Sequence, residues 1–215
     1  MSKRTTRRRV SAAARSGAQR KQRKGLMYGG VAVAAVIVVL AVVLVSLGSG
    51  TARAVDLRVS MYQGVEKVGG ARELNISRLY GGPVALNFWA ALCPPCRAEM
   101  PGFQQFYNEF KDDITLLGVD IGPFTGFGDS SHQEAEGLLR DLGITYSAGF
   151  TTDSSAPRRF RITAMPTTIF INSEGEIFEQ RSGIPTSGEL ARFTNEMLAE
   201  EGIQHDEPHT HDGAG

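Results

Sequence analysis

The stretch PVALNFWAALCPPCRAEMPGF, residues 83–103, constrains the architecture of this chain more than any other. PVALNFWA (83–90) is a short, wholly apolar run, the pattern of a strand covered on both faces of a sheet. From Pro94 the pattern changes: Met100, Phe103, Phe106, Tyr107 and Phe110 recur at helical spacing. Prolines such as Pro94 and Pro95 are tolerated in a first helical turn, where the N–H they lack has no partner. The sequence therefore predicts a strand feeding straight into a helix over 94–110, with Cys93 at its N-cap and Cys96 one turn inside. These are the only 2 cysteines in 215 residues.

Cysteines three apart on that geometry have Cα atoms close enough to form a disulfide. Cys93 sulfur lies at the positive end of the helix dipole, which favours thiolate over thiol and makes it the attacking group. Cys96 is placed to resolve a mixed disulfide by attacking Cys93 sulfur. Two blander readings compete. A structural staple closing about four residues would remove little chain entropy, roughly 2 kcal/mol against about 3 for a fifteen-residue loop. A metal site would be two ligands short of a tetrahedron, since His132, His205, His209 and His211 all fall in predicted loop or tail. Redox chemistry is the stronger reading, with no metal and no cofactor beyond the Cys93–Cys96 dithiol.

The remaining periodicities surround this unit with a mixed sheet. Gly-Gly pairs at 69–70 and 81–82 break short alternating stretches and suggest a hairpin and a turn. ITLLGVDI (114–121) reads as a strand and QEAEGLLRDLG (133–143) as a helix stopped by Gly143. PTTIFIN (166–172) and EIFEQRSG (176–183) form an antiparallel hairpin, and GELARFTNEMLAEEG (188–202) a closing amphipathic helix. The fold class is α/β, with helices on both faces of the sheet. A right-handed crossover brings loop 121–130 to the edge that carries the cysteines, so Phe124 and Phe127 are candidates to border a substrate surface.

Charge divides the chain. Residues 1–25 carry ten Lys or Arg and no acid, whereas from residue 49 onward 13 basic residues face 23 acidic ones. Between these territories runs LMYGGVAVAAVIVVLAVVLVSL, an apolar run of 22 residues from Leu26 to Leu47. At about 1.5 Å per residue it would cover a bilayer core of about 30 Å. The basic flank predicts a cytoplasmic N-terminus and an exported remainder. A cleaved signal peptide is the alternative, with Ala52-Arg53-Ala54 resembling a cleavage site, but its apolar region would be shorter. The arginine-rich tail reads as an orientation signal rather than a nucleic-acid contact. The expected organisation is a basic cytoplasmic tail (1–25), a single transmembrane helix (26–48), a linker (49–54), one domain (55–201) and a disordered tail (202–215).

LNFWAALCPPCRAEMPGF, followed about seventy residues later by TAMPTTIFINSEGEI, resembles the TlpA/ResA-type membrane-anchored thioredoxin-like proteins. The resemblance spans residues 55–201. It implies a thioredoxin fold with an N-terminal hairpin extension and an inserted strand–helix unit. By that likeness Cys93 is the exposed nucleophile, Cys96 the resolving thiol, Pro166 the cis-proline facing them, and Glu99 the acid that tunes them. A cis peptide at Pro166 would offer Met165 backbone groups to a bound peptide. Trp89, four residues before Cys93, would pack beside the disulfide and contribute to substrate binding. Asn87 stands where cytoplasmic thioredoxins have a buried aspartate, which leaves more of the proton handling to Glu99. Leu92 replaces the family's usual aromatic residue, and Pro94 with Pro95 removes two successive N–H groups from the helix start.

The function so implied is an extracytoplasmic thiol–disulfide oxidoreductase, monomeric, reducing protein disulfides such as the CxxCH of an apocytochrome c. Its dithiol would be regenerated by a transmembrane thiol donor of the CcdA/DsbD kind. A disulfide-forming oxidant and a redox-inert binding module of the same fold are the alternatives. A thiol peroxidase is disfavoured, because the cysteines lack a Thr-x-x-Cys setting.

Overall fold

The computed structural model describes residues 56–128 and 130–203, with Ile37 alone before them. The expected transmembrane helix (save Ile37), linker and most of the C-terminal tail lie outside the described residues, among which no helix is long and apolar enough to cross a membrane.

Seven strands form one sheet: β1 (Arg58–Gln63), β2 (Glu73–Asn75), β3 (Val84–Trp89), β4 (Thr115–Asp120), β5 (Ser147–Phe150), β6 (Thr167–Ile171) and β7 (Ile177–Ser182). Their spatial order is β2-β1-β5-β4-β3-β6-β7. The apolar run read as a covered strand is the centre of this order, every residue of β3 being buried. β3 pairs in parallel with β4 and antiparallel with β6. The unit β3, α1 (Pro94–Phe110), β4 and the unit β6, β7, α4 (Ser187–Glu200) together make the thioredoxin arrangement. The N-terminal extension is the antiparallel β1–β2 hairpin, which joins through β1 to β5.

Two cores fill the two faces. One contains Phe103, Phe106 and Phe110 of α1, Leu138 and Leu139 of α2 (His132–Asp141), and Phe193 and Met197 of α4. The other lies under the short helix α3 (Ala156–Arg159), with Phe160 packed on Phe88 and with Val68 and Ile76 from short 3-10 turns. Helices thus cover both faces, but the three long ones share one face. For α1 and α2 that follows from the crossovers β3–α1–β4 and β4–α2–β5, which step in the same direction across the sheet and are right-handed by rule.

The strands β3, β4, β6 and β7 are each one residue shorter at both ends than the apolar runs suggest. The helices read as starting at 133 and 188 begin at His132 and Ser187. Capping boxes at Ser131/Glu134 and Thr186/Glu189 satisfy their first-turn N–H groups. His132 is therefore the first residue of a helix, not part of a loop.

β5 and α3 have no counterpart in the residue-level reading, although the resemblance implied an inserted unit. Ser147-Ala148-Gly149-Phe150 lacks the branched residues that mark a strand. Its small residues reflect a close approach: a methyl on Gly149 would come 2.4 Å from the Ser60 backbone oxygen of β1. Gly149→Ala should therefore push β1 from β5 and lower stability by about 2–3 kcal/mol, measured by denaturant unfolding.

Candidate active site

After β3 ends at Trp89 the chain turns through residues 90–92 and enters α1 at Pro94. Cys93 is the N-cap, with extended backbone angles (φ −86°, ψ 108°). Its backbone N–H donates to Ala90 O at 3.1 Å. Pro94 and Pro95 occupy the first helical positions and have no N–H to offer, so the sulfur accepts from Cys96 N, at 3.3 Å. Cys93 and Cys96 are bonded to each other, their Cα atoms 5.3 Å apart.

The pair is not exposed, which corrects the expectation drawn from the resemblance. Both cysteines are 0% accessible and belong to the core that contains Trp89, Ala90 and Ala91. Leu92 takes the outward place in the turn, at 46% exposure. The loop after β4 closes on it, a methyl at Gly128 lying 3.5 Å from Leu92 Cδ1. Met165 packs against the same core. Trp89 is wholly buried as well, so it offers a client no surface in this oxidised state.

One turn beyond Cys96 on α1, Glu99 points inward and is only 3% exposed. Residues three apart on a helix share a face, so the carboxyl and the Cys96 side chain are neighbours. Asn87 Nδ2 of β3 donates to Glu99 Oε1 at 2.8 Å and reaches Thr168 Oγ1 of β6 at 3.2 Å. Burial, only partly offset by the Asn87 hydrogen bond, pushes the Glu99 pKa up from 4.5 to about 8. The Tyr146 hydroxyl is also pushed up, by its own burial and then by the Glu99 charge.

Glu99 Oε2, Asn87 Oδ1, Trp89 Nε1 and Tyr146 Oη are all buried without a hydrogen-bond partner among the described residues. Gly118 lies at their centre. It pairs with Asn87 across β3 and β4, and a methyl there would come 3.1 Å from Trp89 Nε1 and 3.3 Å from Tyr146 Cε2. A side chain at residue 118 would crowd this polar interior. Asn87 and Glu99 were legible from the sequence. Thr168, Gly118 and Tyr146 were not, since they meet the cluster only through strand register and a segment with no strand signal.

The Met165–Pro166 peptide is cis at the entry to β6. Pro166 O accepts from Gly183 N at 2.8 Å, which ties the far end of β7 to this entry and sets Ile184, 52% exposed, next in the chain. Phe127 is 38% exposed in the loop that reaches Leu92, whereas Phe124 turns inward onto the other core. Leu92, Phe127 and Ile184 are thus exposed apolar side chains carried by the turn, loop and strand end nearest the disulfide and the cis-proline.

A sheet of this order, with a CxxC disulfide capping the helix after its central strand and a cis-proline at the entry to the next strand, defines a thioredoxin-fold protein. The AhpC/TSA family model matches residues 58–180, from β1 into β7, and the chain belongs to that family. Sequence and fold also match thiol–disulfide oxidoreductases of the ResA and StoA type. It is 30% identical to thiol–disulfide oxidoreductase ResA of Oceanobacillus iheyensis, over 60% of this chain and 64% of that one. It is 27% identical to sporulation thiol–disulfide oxidoreductase A of Bacillus subtilis, over 54% of this chain and 68% of that one. The crystal structure of StoA from Bacillus subtilis superposes with a TM-score of 0.53 at 25% identity, covering 66% of this chain and 98% of that one. The chain therefore spans about two thirds of the length of these curated relatives.

Proposed function

We propose that this protein is an extracytoplasmic, membrane-anchored thiol–disulfide oxidoreductase that reduces protein disulfides through Cys93 and Cys96. The observation that carries the reading is the Cys93–Cys96 disulfide at a helix N-cap, with Cys96 N–H directed at Cys93 sulfur. In the reduced state Cys93 thiolate attacks one sulfur of a client disulfide. A Cys93–client disulfide forms and one client thiolate leaves. Cys96 gives its proton to the Glu99 carboxylate and, as thiolate, attacks Cys93 sulfur. The Cys93–Cys96 bond closes and the second client thiolate leaves. Two electrons pass from the dithiol to the client, whose sulfurs take up two protons.

A dithiol donor must then return two electrons to the pair. The outward-facing domain and the expected Leu26–Leu47 span favour a transmembrane donor of the CcdA/DsbD kind. By analogy with ResA-type proteins, we take the client to be the CxxCH disulfide of an apocytochrome c and the role to be cytochrome c maturation. The reduction potential tests the direction: a value below about −250 mV agrees with a reductase, and one near about −120 mV would make the protein an oxidant instead.

The proline pair gives a second test. Pro94→Ala restores one N–H at the helix start and should lower the Cys93 thiol pKa by roughly half a pH unit. Alkylation rate against pH measures it, and an unchanged or higher value defeats the argument.

A further inference from the structure

A cavity of about 230 Å3 opens at the carboxyl ends of β4 and β5, beside the first residue of α2. Ligands of open α/β sheets gather at this kind of edge. Its polar floor is Asp120, 3% exposed, whose Oδ1 accepts from Gly122 N at 2.8 Å and whose Oδ2 accepts from Tyr62 Oη at 3.3 Å. The walls are aromatic: the His132 and Phe150 rings lie 3.8 Å apart, and Tyr62 is 5.2 Å from Phe150. Ser130 lines the same cavity, 6% exposed, and its buried hydroxyl has no hydrogen-bond partner among the described residues. An unpartnered buried hydroxyl is costly unless something else meets it.

The chemistry of the walls selects the occupant. A carboxylate among aromatic faces suits a cation with apolar or planar character. Among the described residues that line the cavity there is no Lys or Arg, and Glu136 adds a second negative charge near Tyr62. An anion would gain little from the start of α2, because Glu134 N already donates to the Ser131 hydroxyl within the capping box. The volume is below that of a cofactor-sized pocket and fits one side chain.

Position supplies the rest. Asp120 pairs with Trp89 across the parallel ladder, and a methyl on Gly122 would be 3.5 Å from Ala90 Cβ. The cavity floor at Asp120 therefore lies beside the end of the strand that leads to Cys93. We propose that this cavity receives an arginine or lysine side chain of the client polypeptide, a few residues from the cysteine that Cys93 engages. The assignment rests on the exchange activity proposed above and gives its client a local basic residue. The acidic excess of the exported part of the chain adds a general attraction of the same sign.

The test uses the full-length protein in detergent and peptides containing one disulfide. In each pair, one peptide has arginine and the other citrulline, its uncharged isostere, at a position scanned outward from a cysteine. At one or two positions the arginine peptide should have a KM about tenfold lower, with kcat little changed. Asp120→Asn should remove that difference, whereas Ser130→Ala, which leaves the carboxylate in place, should raise KM for both peptides of the pair; if Asp120→Asn fails to fold, an unchanged KM in Ser130→Ala overturns the proposal. Equal KM values at every position overturn the proposal. So does a preference that survives Asp120→Asn and fades only with salt, which assigns it to net charge. Failure to reduce any peptide counts against the exchange reading instead. Calorimetry with arginine and citrulline peptides carrying serine for cysteine then tests the cavity directly, and equal affinities overturn it.

Discussion

In a Cys96→Ala variant Cys93 should still capture a client disulfide, and the adduct should persist. The resolving sulfur is gone, so the Cys93–client bond has no internal thiolate to break it. Turnover of a peptide disulfide should fall by at least roughly a hundredfold, while a single equivalent of mixed disulfide accumulates and is seen by mass under non-reducing conditions. Cys93→Ser should abolish both turnover and adduct. The contrast between the two variants separates the roles, since a structural staple would predict neither an adduct nor any asymmetry. Recovery of the same adduct from Cys93→Ser as from Cys96→Ala would reverse the assignment of nucleophile and resolver.

Glu99→Gln has the next largest expected effect, and its sign depends on pH. Glu99 has a folded pKa of about 8 against 4.5 for the free group. The folded state holds this proton more tightly than the unfolded chain, so the stability linked to it is fully present below pH 4.5. It declines as pH rises and is lost above pH 8. The oxidised protein should lose about 3–5 kcal/mol from this group across that window, and Glu99→Gln, which stays neutral, should flatten the slope. The variant should be the more stable protein at pH 9, by urea unfolding. The same substitution should slow release of client from the mixed disulfide roughly a hundredfold at neutral pH and remove the inflection near pH 8 from its pH–rate profile. A merely structural carboxylate would change the unfolding curve and leave the release profile in place.

The central features were written plainly in the sequence because each depends on local pattern. A continuous apolar run reads as a covered strand wherever it sits, and two prolines after a cysteine mark a helix start without reference to the rest of the chain. Glu99 and Asn87 were marked by the family resemblance, Glu99 also by lying one helical turn beyond Cys96. Features set by pairing between distant segments were hidden. β5 is a strand because β1 and β4 flank it, not because Ser-Ala-Gly-Phe favours extension. Tyr146, just before it, meets Glu99 only once that register exists. His132 carries no periodic signal of its own, and only the capping box Ser131-x-x-Glu134 makes it the first residue of a helix. Burial of Cys93 was hidden in the same way. Nothing near the cysteines announces that both will have no accessible surface, because that depends on how distant segments pack around them.

That enclosure bears on how electrons are kept from leaking. Thiol–disulfide exchange needs an incoming sulfur to reach the bond, and here both sulfur-bearing residues have 0% accessible surface. Small diffusing thiols gain nothing from binding and so have no energy with which to pry the enclosure apart. A macromolecule that docks on the apolar side chains around it does. Oxidising and reducing circuits that share a compartment could in this way run side by side without shorting, insulated by a half-exposed leucine and its neighbours.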